Sequence, residues 1–224
     1  MDKKKIALIM GTRPEAIKMA PIVYALKQRS SDIDTVVIAT AQHRQMLDQV
    51  LSLFNIVQDI DLDLMRPNQS LNDLTCSVLQ LMQKTLEDVK PDLLMVQGDT
   101  TTVFAASVAA FYLKIPVAHV EAGLRSHDLY NPFPEEANRR LTSVLTQIHL
   151  APTPLAKEKL LNEGVNEENI FVTGNTVVDA MSTLLDVPFS FQGSPIENLP
   201  LSQHRVILVT SHSRESHGED LKNT

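Results

Sequence analysis

The 224-residue chain is longer than a minimal module and shorter than two domains of ordinary size. Its 43% hydrophobic and 21% charged residues argue against intrinsic disorder, and a net charge of −7 without a basic patch argues against a nucleic-acid binder. A single cysteine, Cys76, excludes an intramolecular disulfide framework, and no apolar run reaches the roughly 20 residues of a membrane-spanning helix. The basic start, Met1-Asp2-Lys3-Lys4-Lys5, runs into too few apolar residues before Gly11 for a signal peptide. A soluble, cytoplasmic protein with no membrane or nucleic-acid partner is expected.

Short apolar runs then alternate with helical patterns. Lys5–Met10 reads as a buried strand and Pro14–Lys27 as a helix; Asp34–Thr40 is a second strand and Gln45–Phe54 a second helix. Ser70–Val89 is a long amphipathic helix, with Leu71, Leu74, Val78, Leu81, Met82 and Leu86 at spacings of three and four, and Cys76 is expected to pack within it. Leu93–Gln97 and Ile115–Val120 are strands around a helix at Thr102–Leu113. Helices at Glu135–Thr146, Leu155–Glu163 (stopped by Gly164) and Asn175–Leu185 alternate with strands at His149–Ala151 and Ile170–Val172. Continuous apolar strands separated by helices require a parallel sheet covered on both faces, a doubly wound α/β fold. Residues 187–203, rich in Pro, Gly and Ser, read as a linker after a domain at 1–186, and Val206–Thr210 reads as a fresh strand within 204–224.

The chemistry gathers where strands end. Gly11-Thr12-Arg13-Pro14-Glu15 is a strand, a turn and a helix start, with Pro14 expected at the first helical position. Its free N–H groups and helix dipole favour an anion, Arg13 can grip phosphate with two bonds, and Lys18 follows one turn later. A solvated turn with ordinary surface charges is the plain alternative. The segment matches neither the dinucleotide fingerprint nor the ATP-type phosphate loop, so no cofactor is expected. Asp99, in Gln97-Gly98-Asp99-Thr100, leaves the next strand, although an N-cap would explain an aspartate there unaided. Glu121, in His119-Val120-Glu121-Ala122-Gly123, repeats the pattern, and a carboxylate leaving a buried strand is costly unless paired or solvated. Pro134-Glu135-Glu136-Ala137-Asn138-Arg139 follows, where Glu135 and Glu136 could serve only the helix dipole and Arg139 only a helical ion pair. His43 closes the second strand beside Gln42, whereas His119 packs inside or at the edge, and no histidine spacing reads as a metal site. Taken together, strand-end carboxylates beside a cationic cradle suit acid/base chemistry on an anionic substrate.

The motifs MGTRPEAIKMAP (Met10–Pro21), QHRQMLDQVL (Gln42–Leu51), GDTTTVFAA (Gly98–Ala106), HVEAGLRS (His119–Ser126), PFPEEANRR (Pro132–Arg140), APT (Ala151–Thr153) and FVTGNTVVDA (Phe171–Ala180) occur in one order. In them the chain resembles the non-hydrolysing UDP-N-acetylglucosamine 2-epimerase family of bacteria and archaea. The resemblance implies the first half of a GT-B-like two-domain fold, a Rossmann-like doubly wound parallel sheet followed by a truncated second domain. It implies interconversion of UDP-GlcNAc and UDP-ManNAc by elimination of UDP to 2-acetamidoglucal and re-addition. By motif, Asp99, Glu121, Glu135 and His212 correspond to catalytic residues, and Arg13, Lys18, Gln42, His43 and Arg139 to substrate contacts. No metal or other cofactor is implied, and a homodimer through the first domain is.

Departures from the family pattern bear on activity. The family's HRREN segment reads His212-Ser213-Arg214-Glu215-Ser216, TGQH reads Thr40-Ala41-Gln42-His43, and Ser143 and Gln147 stand where acidic or histidine residues are commoner. With the second domain cut short, the chain alone is expected to be inactive or weakly active. The same residues admit two alternatives: a non-enzymatic binding or dimerising remnant, and a hydrolysing relative that releases ManNAc and UDP.

Overall fold

The structure is a computed structural model that describes residues 3–40, 44–64, 66, 69–185, 187, 188, 190–194, 196–200 and 203–207. The chain divides into two compact units, Met1–Asp186 and Val187–Thr224. In the first, strand and helix alternate as the apolar runs require: β1 (Lys4–Met10), α1 (Arg13–Gln28), β2 (Ile33–Ala39), α2 (Arg44–Leu53), β3 (Ile60–Asp61), α3 (Leu71–Val89), β4 (Leu93–Gln97), α4 (Thr101–Tyr112), β5 (Val117–Val120), α5 (Glu135–Leu145), β6 (Ile148–Ala151), α6 (Pro154–Asn162), β7 (Ile170–Val172) and α7 (Val177–Leu184). The strands form one seven-stranded parallel sheet in the order β3-β2-β1-β4-β5-β6-β7. This is the expected Rossmann-like, doubly wound α/β fold. Strand order reverses between β1 and β4, so the turns that follow these two strands flank the crevice where such sheets bind ligands.

Burial on both faces explains the unbroken apolar strands. In β1, Leu8 and Met10 join Met19, Val23, Leu47 and Phe54 on one side. Ala7 and Ile9 join Leu74, Val78, Met82 and Val103 on the other. The alternation is the period-two pleat of a strand covered by helices above and below.

Several details differ from the sequence reading. α1 opens at Arg13 rather than Pro14, because Thr12 takes the cap and pairs reciprocally with Glu15 in a capping box. Cys76 is exposed rather than packed within the helix. The buried stripe of α3 runs through Leu74, Val78, Met82 and Leu86, and Cys76 sits about 200° around the helix from Leu74. Leu71 and Leu81 likewise turn outward. β3 is too short to register as an apolar run and is made by pairing with Ile38 and Ala39. In the second unit, Val206 and Ile207 are exposed and carry no strand, since an extended segment needs a neighbour for its ladder bonds; 208–210 lie outside the described residues. Among the described residues no helix is long and apolar enough to cross a membrane.

Candidate active site at the carboxyl edge of the sheet

The turn between β1 and α1 is organised by Glu15. Its carboxylate is 2% exposed and accepts the Gly11 N–H at 2.5 Å, the Thr12 N–H at 3.0 Å and the Thr100 hydroxyl at 2.7 Å. Burial raises its pKa above the ordinary glutamate value, and the hydrogen bonds from Gly11, Thr100 and Thr12 counter that rise. Through Thr100 this one side chain joins the β1–α1 turn to the β4–α4 turn. Arg13 stands exposed at the start of α1, and Lys18, one turn further, reaches into the crevice.

Thr100, not Asp99, caps α4: its hydroxyl accepts the Val103 N–H at 3.3 Å. The cap explanation for Asp99 therefore fails, and its carboxyl group is left facing other charges. Burial is the largest influence on Asp99 and raises its pKa; Arg139 pulls it down, while the charges of Glu135 and Glu121 push it up and Lys18 pulls it down again. Arg139 Nε lies 3.2 Å from Asp99 Oδ2, within ion-pair range although its N–H is not aimed along that line. The helical ion pair expected of Arg139 is also present, with Nη1 3.5 Å from Glu136 Oε2.

Glu121 follows β5 in a left-handed conformation, with φ of 65°. This is uncommon for a residue with a Cβ, and the surroundings enforce it. Downstream the chain is tied down: the Ala122 N–H donates to Leu150 O at 3.1 Å, and Gly123 packs so tightly on α6 that a Cβ there would lie 2.3 Å from Ala156 O. Arg125, whose side chain is 1% exposed, donates to Glu163 at 2.7 and 2.8 Å and to Ser143 at 2.8 Å. The buried guanidinium thereby satisfies the rule that a desolvated charge must be paired. Glu136, fully buried, accepts the N–H groups of Ser126 and His127 from the same loop.

Held in this way, the Glu121 carboxylate receives three donors. Lys18 Nζ and Gln97 Nε2 each donate to Oε2 at 2.6 Å, and Asn175 Nδ2 donates to Oε1 at 2.7 Å. The structure thus brings Lys18, Asp99, Glu121, Glu135 and Arg139 to one edge, with Arg13 on the adjoining turn. Gln42, His43 and His212 lie outside the described residues. Glu15, Gln97, Asn138 and Asn175 belong to the cluster and were not singled out in the sequence. A capping-box spacing, Thr12-x-x-Glu15, was the available signal for Glu15; position at a strand end was the signal for Gln97, and membership of the FVTGNTVVDA motif the one for Asn175. Among the described residues no group of His, Cys, Asp or Glu is arranged to hold a metal ion.

The fold and this edge define a Rossmann-like α/β protein with a charged crevice at its topological switch point. The family model described as UDP-N-acetylglucosamine 2-epimerase matches residues 25–224, and the chain belongs to that family. It is 53% identical over 223 residues to the UDP-N-acetylglucosamine 2-epimerase of Neisseria meningitidis serogroup A, a match that covers 98% of this chain and 60% of the relative. The crystal structure of UDP-GlcNAc 2-epimerase from Neisseria meningitidis bound to UDP-GlcNAc aligns with a TM-score of 0.78 at 57% identity, over 81% of this chain and 49% of that one. The Methanocaldococcus jannaschii UDP-GlcNAc 2-epimerase in complex with UDP-GlcNAc and UDP aligns with a TM-score of 0.76 at 42% identity, over 81% and 49%. The chain spans 57–60% of the length of the curated relatives it matches.

Proposed function

We propose that this chain forms the catalytic first domain of a UDP-N-acetylglucosamine 2-epimerase that interconverts UDP-GlcNAc and UDP-ManNAc. One observation carries the reading: Glu121 and Glu135, from separate segments, both act on the charge of Asp99 at a single sheet edge that also holds Lys18 and Arg139. Inverting C2 of the sugar requires breaking a C–H bond that has no adjacent carbonyl to acidify it. Elimination solves this. A carboxylate takes the C2 proton, the C–H electron pair becomes the C1–C2 double bond of 2-acetamidoglucal, and the C1–O pair leaves with UDP. Re-addition of UDP at C1, with a proton delivered to the opposite face of C2, gives the epimer.

Such a cycle needs proton carriers on both faces of C2 and cations beside the departing diphosphate. Asp99, held above the usual aspartate pKa by burial, is suited to deliver a proton. Glu121, oriented by Lys18, Gln97 and Asn175, is suited to accept one. Glu135 completes the set, while Arg13, Lys18 and Arg139 steady the diphosphate. The motif resemblance adds His212 as a further catalytic residue and Gln42 and His43 as substrate contacts. In this reading 1–186 is the catalytic domain, 187–203 a linker and 204–224 the opening of a second Rossmann-like domain in a GT-B-like arrangement. It places the protein in the cytoplasm as a homodimer joined through the first domain.

The test is a turnover assay that identifies products by chromatography, run on the 224-residue chain and on a version extended to the relatives' length. The extended form should convert UDP-GlcNAc to UDP-ManNAc, and Glu121→Gln should reduce this by about 100-fold or more. Free ManNAc as the sole product, or no turnover with Asp99, Glu121 and Glu135 intact, would overturn the proposal.

A further inference from the structure

Asp99 sits in a short segment that is pinned from outside on both sides of its Cα. On the upstream side, Gly98 turns with φ of 82°, its N–H donates to Val120 O at 3.2 Å, and its carbonyl lies 2.7 Å from His119 Nε2. A carbonyl oxygen can only accept, so Nε2 carries the hydrogen and Nδ1 is bare. On the downstream side, Asn138 Nδ2 donates to the Asp99 carbonyl at 3.0 Å. The two donors come from β5 and α5, elements that also carry Glu121 and Glu135 at their edges.

His119 is a poor choice for filling space. It is wholly buried among apolar neighbours on β5, and its Nδ1 has no hydrogen-bond partner. Burial holds the ring neutral, with a pKa lowered to about 4. Leucine would occupy a similar volume without stranding a polar atom. What leucine cannot supply is the N–H aimed at Gly98. Asn138, also buried, likewise spends its amide on a single backbone carbonyl outside its own helix.

We infer that His119 and Asn138 are positioning residues that set the orientation of the Asp99 carboxyl group by pinning the carbonyls of Gly98 and Asp99. The inference deepens the reading of Asp99 as a proton carrier and rests on it for its catalytic meaning. With both carbonyls held, rotation of the two peptide planes around Asp99 is blocked, and the carboxyl group stays where burial, Arg139, Glu135, Glu121, Lys18 and Glu15 act on it. Freed, it would turn toward water.

The experiment follows the Asp99 carboxyl carbon by NMR across a pH titration of the 224-residue chain with 13C-labelled aspartate. His119→Leu removes a ring that gains charge only near pH 4, and losing that positive charge could only raise the Asp99 midpoint, so a fall reports geometry rather than a lost charge. That variant should lower the Asp99 midpoint by about half a pH unit or more, toward the ordinary aspartate value, because burial is the main cause of its rise. Its thermal midpoint should change little, since the hydrogen bond to Gly98 and the stranded nitrogen are lost together. His119→Gln, whose amide can still donate to Gly98, should keep the midpoint near that of the parent chain. Asn138→Ala should lower it in the same direction, and carries the test by itself if His119→Leu does not fold. An Asp99 midpoint unmoved in both Asn138→Ala and His119→Leu, or moved equally by His119→Gln and His119→Leu, overturns the inference. These midpoints do not depend on turnover, so failure of the proposed epimerase activity and failure of the pinning are read separately.

Discussion

Replacing Gly123 with alanine adds one methyl group where the loop after Glu121 crosses α6. Two costs arise. At φ of 89° the backbone is in the left-handed region, which penalises an L-residue by about 1–2 kcal/mol. The new Cβ would also lie 2.3 Å from Ala156 O and 2.9 Å from Ala156 C, both backbone atoms of a packed helix that cannot swing aside. Relieving such an overlap by shifting the loop or the helix costs about 1–3 kcal/mol. A total loss of about 2–5 kcal/mol is a large part of the roughly 5–15 kcal/mol that stabilises a typical domain. Gly164→Ala is the internal control, because it has nearly the same φ, 87°, with no atom within 4 Å of its Cβ. It should show the conformational cost alone. Urea unfolding of the 224-residue chain, followed by far-UV circular dichroism, measures both variants. Gly123→Ala should unfold at clearly lower urea than Gly164→Ala. Equal midpoints for the two would refute the reasoning that close packing on α6 holds the Glu121 loop.

Two further predictions concern buried polar groups. Glu163→Ala removes the carboxylate that pairs with buried Arg125 and should cost about 2–3 kcal/mol, somewhat below a fully buried pair because Glu163 is partly exposed; adding Ser143→Asp, which restores an acid next to the Arg125 guanidinium, should recover part of the loss in thermal unfolding. His119 and His149 are both held near pKa 4, mainly by burial, against 6.5 when unfolded. The unfolded chain therefore binds more protons between these values, and stability is full above about pH 6.5 and falls as the pH drops toward 4. For His119 alone this amounts to about 3 kcal/mol. Urea midpoints at pH 7, 5.5 and 4.5 should fall less steeply in a His119→Leu, His149→Leu double variant than in the parent chain, and identical slopes would contradict the assignment.

The sheet was legible in the amino-acid sequence because strands buried on both faces must be apolar throughout, and the runs that became β1, β4 and β5 stop at Gly11, Gly98 and Glu121. That rule located Asp99 and Glu121 at strand ends without any view of the sheet. It could not decide between Asp99 and Thr100 as the cap of α4, since both residue types cap helices and only backbone geometry chooses. Gln97 and Asn175 were invisible for a different reason. They converge on Glu121 from β4 and from the turn after β7, and no spacing along the chain encodes a meeting made by the sheet order. Ser143, which stands where the family pattern has acidic or histidine residues more commonly, shows its role only in space: its hydroxyl accepts from Arg125, and Glu163, just past α6, supplies that guanidinium with a carboxylate. Cys76 was misplaced because a small residue near an apolar stripe reads as part of it until the helix phase is known.

The central claim is that carboxylates at this edge remove and return the C2 proton of a UDP-sugar. Running the extended protein with UDP-GlcNAc in heavy water and recording the proton NMR spectrum of the products tests it most directly. The account predicts that UDP-ManNAc carries solvent deuterium at C2 and that Glu121→Gln suppresses this incorporation. Epimerised product that retains its original C2 hydrogen would contradict it.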